Sequence, residues 1–257
     1  MESNPTTTFE QPLTERVRSF LRIEHLCRLY RHHRKDQSEA GVRASMQALL
    51  DVLTVLSRSD LKNEVLKELS DQHHALTRLS ARPEVDHERL REVLAELAQA
   101  INGVQQLATQ FAASQLRAND FLITLNNRST VPGGTCGFDL PAYHHWLSQP
   151  YESIKRDLDA WYADVQPFET AINLYLRLLR NSVEAKPHVA RGGMFVDAPN
   201  STCVLLRVTV PQALHAYPEI SAGKHRFTIR FLQAGDISAR GVQCNTDIAF
   251  DMQTCAL

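Results

Sequence analysis

Apolar residues in the first two thirds of the chain recur at intervals of three and four residues, the spacing of one face of an α-helix. This pattern predicts helices that begin near Thr14, Ser38, Ser59 and Asp86, because hydroxyl and carboxylate side chains cap helix N-termini. The dipeptide at 102–103, Asn-Gly, is expected to bend or break the fourth helix. Further helical patterns run to about residue 128 and then over 142–147, 151–163 and 167–183.

After residue 186 the spacing changes to runs rich in Val, Ile, Thr and Phe, separated by Gly and Pro-Asn turns, which is typical of β-strands. The predicted strands are MFVDA, CVLLRVTV, HRFTIRF and VQCNTDIAFDM. The last is expected to be one strand with a shared face of Val242, Cys244, Thr246, Ile248, Phe250 and Met252.

These elements predict an α+β fold, with an N-terminal helical domain and a small antiparallel β domain at the C-terminus. The boundary is placed after residue 186, so that the helical domain covers 1–186 and the β domain covers 187–257. The early segment TTTFEQP, residues 6–12, is a candidate edge strand of the β domain.

The stretch GKHRFTIRF near the C-terminus separates cations from apolar residues. Since successive side chains of a strand point to opposite faces, Phe227, Ile229 and Phe231 share a face that is expected to pack on a core. Arg226 and Arg230 share the other face, with nothing acidic close in sequence. The face is either an ordinary solvated side of an antiparallel strand or a binding surface for an acidic partner.

Composition excludes several function classes. The chain has 257 residues, of which 43% are hydrophobic and 22% charged, so it can form a sizeable core. A formal net charge of −1 gives no overall attraction to nucleic acid or membrane, and any basic site must be local. No apolar run is long enough to span a membrane, and the N-terminus has no signal-peptide pattern. We therefore expect a cytoplasmic protein that binds neither nucleic acid nor membrane.

Motifs for chemistry are sparse. The five cysteines form no CxxC, the eleven histidines form no HExxH, and no glycine-rich phosphate loop occurs, so no metal or cofactor is predicted. One enzymatic alternative stays open: Cys136 as a nucleophile and His144 as its base, with Asp139 nearby in sequence as an orienting group. The other interpretation of Cys136 is a small structural residue.

Two stretches, PGGTCGFDLPAYHHWL and HRFTIRF, resemble the ZapD family of bacterial cell-division proteins. FLRIEHL and LKNEVLKEL are also similar, and the resemblance runs from about Phe9 to Phe250. It implies a homodimer without enzymatic activity or cofactor. It also implies a partner, the short C-terminal tail of the division tubulin FtsZ, whose filaments the dimer cross-links and bundles to stabilise the Z ring at midcell.

The resemblance also implies which residues bind the partner. Arg226 and Arg230 match the paired arginines of RFxIRF, Arg58 lies in SRSD, Arg22 in LRIE, and His144 in DLPxxH. The FtsZ tail typically carries acidic residues beside apolar ones, and arginine forms bidentate, charge-assisted hydrogen bonds with carboxylates. The two function classes predicted from the sequence are thus a filament cross-linker and, as the alternative, a cysteine-dependent enzyme.

Overall fold

The computed structural model describes residues 5–57, 60–80, 82–108, 112, 118–198, 202–223, 226–235 and 238–256. The chain divides into two compact units. The β unit comprises Met1–Arg18 and Arg177–Leu257, and the helical unit comprises Ser19–Leu176. N-terminal helices followed by antiparallel strands confirm the predicted α+β class.

Eight helices are described, and their starts follow local hydrogen bonds. Thr14 Oγ1 accepts from the Val17 N–H at 3.3 Å, and Ser38 accepts from Gly41. Asp86 Oδ1 accepts from the backbone N–H groups of Glu88 and Arg89. These three predicted caps are therefore confirmed. The helices are α1 Glu15–His33, α2 Glu39–Leu56, α3 Leu61–Leu79, α4 His87–Gln105, α5 Asp120–Ser129, α6 Pro141–Leu147, α7 Tyr151–Tyr162 and α8 Val165–Arg180.

Two expectations about the helices are corrected. Ser59 lies outside the described residues, and the cap position of α3 is Asp60, whose side chain makes no capping hydrogen bond. The predicted break at 102–103 is wrong, because α4 continues to Gln105. Ala100 and Val104 are buried on one face of its last turns, and we attribute the continuation to this packing, which offsets the roughly 1 kcal/mol cost of a helical glycine.

The β unit holds two antiparallel sheets. The first has the order β1-β4-β8-β2, and the second has the order β3-β6-β5, with β7 also paired to β6. The N-terminal strand pairs with β4 along its length, which places Phe9 opposite Val208. The strands are β1 Thr6–Pro12, β2 Lys186–Ala190, β3 Met194–Asp197, β4 Leu205–Pro211, β5 Ala216–Ala222, β6 Phe227–Gln233, β7 Val242–Gln243 and β8 Ile248–Cys255.

Both sheets contribute to one core, in which Phe227 and Phe231 of β6 meet Phe250 and Met252 of β8. The prediction that VQCNTDIAFDM forms a single strand is wrong. Its first residues form β7 in the second sheet, and its last residues belong to β8 in the first. Val242 is 69% exposed and Thr246 is also exposed, because the chain passes from one sheet to the other between them.

The turn from β2 to β3 requires glycine. Gly192 and Gly193 have φ values of 53° and 74°, the left-handed region that tight hairpin turns use. The turn is closed by the Met194 N–H, which donates to the Arg191 carbonyl at 3.0 Å. A Cβ on Gly193 would lie 2.3 Å from the Cys244 carbonyl oxygen, whereas a Cβ on Gly192 would meet nothing within 4 Å.

These two glycines form a matched pair for a stability test. Gly192→Ala should cost about 1 kcal/mol of unfolding free energy, because only the left-handed backbone is strained. Gly193→Ala should cost about 2–3 kcal/mol, because the chain around Cys244 must also move. Urea unfolding of both variants measures the difference. Equal costs would show that the close approach to Cys244 relaxes without penalty.

Candidate partner-binding site

The alternation predicted for the strand near the C-terminus is confirmed. Phe227 is 1% exposed, and Ile229 and Phe231 are fully buried in the core of the β unit. Arg226 and Arg230 are exposed. We call the side of the second sheet that carries these two arginines the arginine face. The buried side chains on the opposite side of β6 hold this strand against the core and so fix the backbone that carries the arginines.

The two arginines are spaced for an extended ligand. Arg226 directly precedes β6, and its carbonyl accepts the Gly223 N–H at 2.9 Å. Four residues along a strand correspond to roughly 13 Å between the Cα atoms of Arg226 and Arg230. A peptide that runs along β6 and carries two carboxylates could therefore meet one at each guanidinium.

Arg230 already has an acidic neighbour. Its Nη2 lies 2.5 Å from Glu219 Oε2, and about half of each side chain is exposed to solvent. Glu219 is directly opposite Arg230 in the pairing of β5 with β6. Such a half-exposed pair contributes little to stability, so a ligand carboxylate can replace Glu219 at small cost. In the part of the chain that the structure describes, Arg226 forms no ion pair.

The sequence did not indicate Glu219 as a site residue, because it lies eleven positions before Arg230 and the register of two strands is not visible in a local pattern. The available signal was that Glu219 lies on the strand that comes directly before the strand of Arg230. Consecutive strands commonly pair, so the two side chains could have been expected to lie close together. Among the residues that the structure describes, the arginine face therefore carries Arg226, which forms no ion pair, beside the paired side chains of Arg230 and Glu219.

The other predicted site residues belong to the helical unit. Arg22 is exposed on α1, next to the buried Ile23. His144 is exposed on α6, and its ring lies so close to Gly137 that a Cβ there would be 3.4 Å from the imidazole Cγ. Arg58 lies outside the described residues. The structure thus places Arg226 and Arg230 on one face. A role in partner binding stays a prediction for all five residues.

The motif around the PGG turn mainly builds structure. Leu140 and Tyr143 are buried, and the Tyr143 and Trp146 rings stack with centroids 5.9 Å apart. Trp146 Nε1 donates to Asp157 at 2.9 Å, which ties α6 to α7. Phe138 differs from these residues, because it is 86% exposed.

Cys136, the nucleophile of the enzymatic alternative, lies beside Asp139. Cys136 Sγ lies 3.5 Å from Asp139 Oδ2, and within the described residues no hydrogen bond joins Cys136 to His144. Burial raises the pKa of Cys27 to about 12 and that of Cys255 to about 11, so both thiols stay protonated at neutral pH.

The described residues contain no group of three or more His, Cys, Asp or Glu side chains placed to hold a metal ion. No helix in the same part of the chain has the length and apolar character needed to cross a bilayer.

Comparison with known proteins identifies the family. A family model described as ZapD, cell division protein, matches residues 21–230. Among curated relatives, the cell division protein ZapD of Dechloromonas aromatica is 35% identical over 97% of this chain and 99% of its own length. The ZapD proteins of Methylococcus capsulatus and Chromobacterium violaceum are 36% and 37% identical, over 97% and 96% of this chain and 98% of their own lengths. The chain therefore belongs to the ZapD family of cell division proteins.

Proposed function

We propose that this chain binds the C-terminal tail of FtsZ through its arginine face and that a homodimer of it cross-links FtsZ filaments into bundles. The observation that carries the proposal is the exposure of Arg230 on β6 and of Arg226 directly before it, while the other side of β6 is buried in the core. Membership of a cell division family supports the same conclusion.

The two arginines can bind carboxylates of the tail through charge-assisted hydrogen bonds. A guanidinium presents a planar set of donors that matches a carboxylate in a bidentate manner. Arg226 offers this set without an ion-pair partner among the described residues, and Arg230 exchanges Glu219 for a carboxylate of the tail. Arg22, Arg58 and His144 are proposed as further contacts of the same partner.

Bundling follows from two such sites on one symmetric dimer. A two-fold axis duplicates the arginine face, so that each half of the dimer can hold a tail from a different filament. Many tails on each filament raise the effective concentration around a bound dimer, and a modest affinity at each site is then sufficient. The protein acts in this scheme without an enzymatic step, in the cytoplasm at the division site where FtsZ assembles.

Sedimentation of FtsZ polymers tests the proposal. The chain should pellet with polymers of full-length FtsZ and increase their bundling, and it should stay in the supernatant with FtsZ that lacks its tail. Cys136→Ala should behave like the parent. Tail-independent pelleting would contradict the proposed site. Loss of bundling in a well-folded Cys136→Ala variant would instead favour the cysteine-dependent alternative.

Cross-linking of two filaments requires the chain to form a dimer. Light scattering at micromolar concentration should give twice the monomer mass of 29.0 kDa, because two sites must be held in one particle. A monomer mass under these conditions would contradict the cross-linking mechanism, even if the tail peptide bound to the chain.

A further inference from the structure

Two large apolar side chains are exposed beside the arginines. Met194 and Val196 of β3 are 47% and 48% exposed. In the pairing of β3 with β6, Met194 lies directly opposite Arg230, and Val196 lies opposite Thr228. Directly opposed residues of an antiparallel pair point to the same side of the sheet. Met194 and Val196 therefore belong to the arginine face.

The arrangement combines apolar area and charge within the reach of one short peptide. Opposed residues have Cβ atoms about 5 Å apart, so a ligand bound at Arg230 also lies close to Met194. Single exposed apolar residues are normal on protein surfaces. Here two of them occupy alternate positions of β3. Met194 lies opposite Arg230 of β6, and Val196 lies opposite Thr228, two residues after Arg226.

We propose that Met194 and Val196 form the apolar half of the tail-binding face and make it selective for an extended peptide that carries apolar residues beside its carboxylates. This inference rests on the proposed function and specifies which chemistry of the FtsZ tail is recognised. Charge complementarity selects an acidic occupant, because Arg226 and Arg230 are both cations and, among the described residues, only Arg230 has an acidic partner, Glu219.

Each half of the face supports the other. An apolar side chain of the peptide that covers Met194 and Val196 removes apolar area from water. The same contact excludes water from the adjacent ion pairs, and the electrostatic attraction between charges strengthens where solvent is excluded. Methionine suits such a surface, because its flexible thioether adapts to the side chain that it meets. A peptide that is only acidic or only apolar gains one of these contributions and loses the other.

The test uses the tail peptide of FtsZ and three variants of the full chain. Met194→Gln with Val196→Thr keeps side-chain size and removes apolar character. Val242→Thr is the matched control, since Val242 is also exposed in the β unit but lies on β7. Arg226→Ala with Arg230→Ala removes the cations. Fluorescence anisotropy measures the affinity for the native tail peptide and for a peptide whose apolar residues are replaced by serine.

Met194→Gln with Val196→Thr should weaken native tail binding by about fivefold to tenfold, with an unchanged salt dependence, and Val242→Thr should bind like the parent. The parent should bind the serine-substituted peptide more weakly than the native peptide, again by about fivefold to tenfold. The serine-substituted peptide should bind the parent and the Met194→Gln, Val196→Thr variant with equal affinity. This peptide comparison on the parent chain needs no variant to fold.

The outcomes separate the two proposals. Parent-like affinity of the Met194→Gln, Val196→Thr variant, or equal binding of both peptides by the parent, would overturn the inference. If the inference fails in this way but the Arg226→Ala, Arg230→Ala variant loses binding of the native tail peptide, the proposed function still stands. If the parent chain binds no tail peptide at all, the proposed function itself fails.

Discussion

Replacing Arg226 and Arg230 by alanine should weaken binding of the FtsZ tail peptide more than any other exposed substitution in the β unit. Truncation of one member of a partly desolvated charge pair typically costs about 2–5 kcal/mol, mostly through faster dissociation. Both arginines are exposed, so we expect about 1–3 kcal/mol for each, or about fivefold to over a hundredfold in affinity. Added salt should weaken the parent complex for the same electrostatic reason.

Glu219 provides a control of opposite sign. Glu219→Gln removes the carboxylate that now pairs with Arg230 and leaves a side chain of nearly the same shape. Tail binding should then strengthen by about twofold to fivefold, because the peptide no longer competes with an internal acid. Arg230→Lys should weaken binding, since an ammonium group cannot form the bidentate contact.

Calorimetric titration of each variant with the tail peptide, together with a melting curve, measures these effects. A well-folded Arg226→Ala, Arg230→Ala double variant with parent affinity would show that the two cations are merely solvated. A Glu219→Gln variant with weaker binding would show that Glu219 orients Arg230 for the ligand instead of competing with it.

Local patterns predicted the parts of this structure that depend on neighbouring residues. The caps at Thr14, Ser38 and Asp86 could be read from the sequence, because the hydrogen bonds that they form reach only two or three residues ahead. The two faces of β6 were predictable for a similar reason, since alternation is a property of one strand.

Strand pairing could not be derived in this way. The partner of Arg230 became visible only with the register of β5 against β6. The error over VQCNTDIAFDM has the same origin, because its alternation of apolar residues continues through the segment where the chain leaves one sheet for the other. The placement of Met194 also depends on pairing, since only its position opposite Arg230 puts it on the arginine face.

The core side of β6 carries the second large expected effect. Phe227 is 1% exposed, and its ring lies 6.3 Å from that of Phe195 in the core of the β unit. Phe227→Ala removes most of this side chain and leaves a cavity, which typically costs about 3–5 kcal/mol of unfolding free energy. Circular dichroism during urea unfolding should detect this loss.

Thr228→Ala is the matched control, since Thr228 is the next residue on the same strand and points to the arginine face. Its loss removes little buried area and should cost less than about 1 kcal/mol, mainly through strand propensity. Effects on stability and on binding should therefore come from different residues. Phe227→Ala should lower stability, and binding with it, by reducing the folded fraction, whereas Arg226→Ala should lower binding alone. Similar stability costs for Phe227→Ala and Thr228→Ala would contradict the assignment of these two faces, and with it the placement of the arginines as a site held against a rigid core.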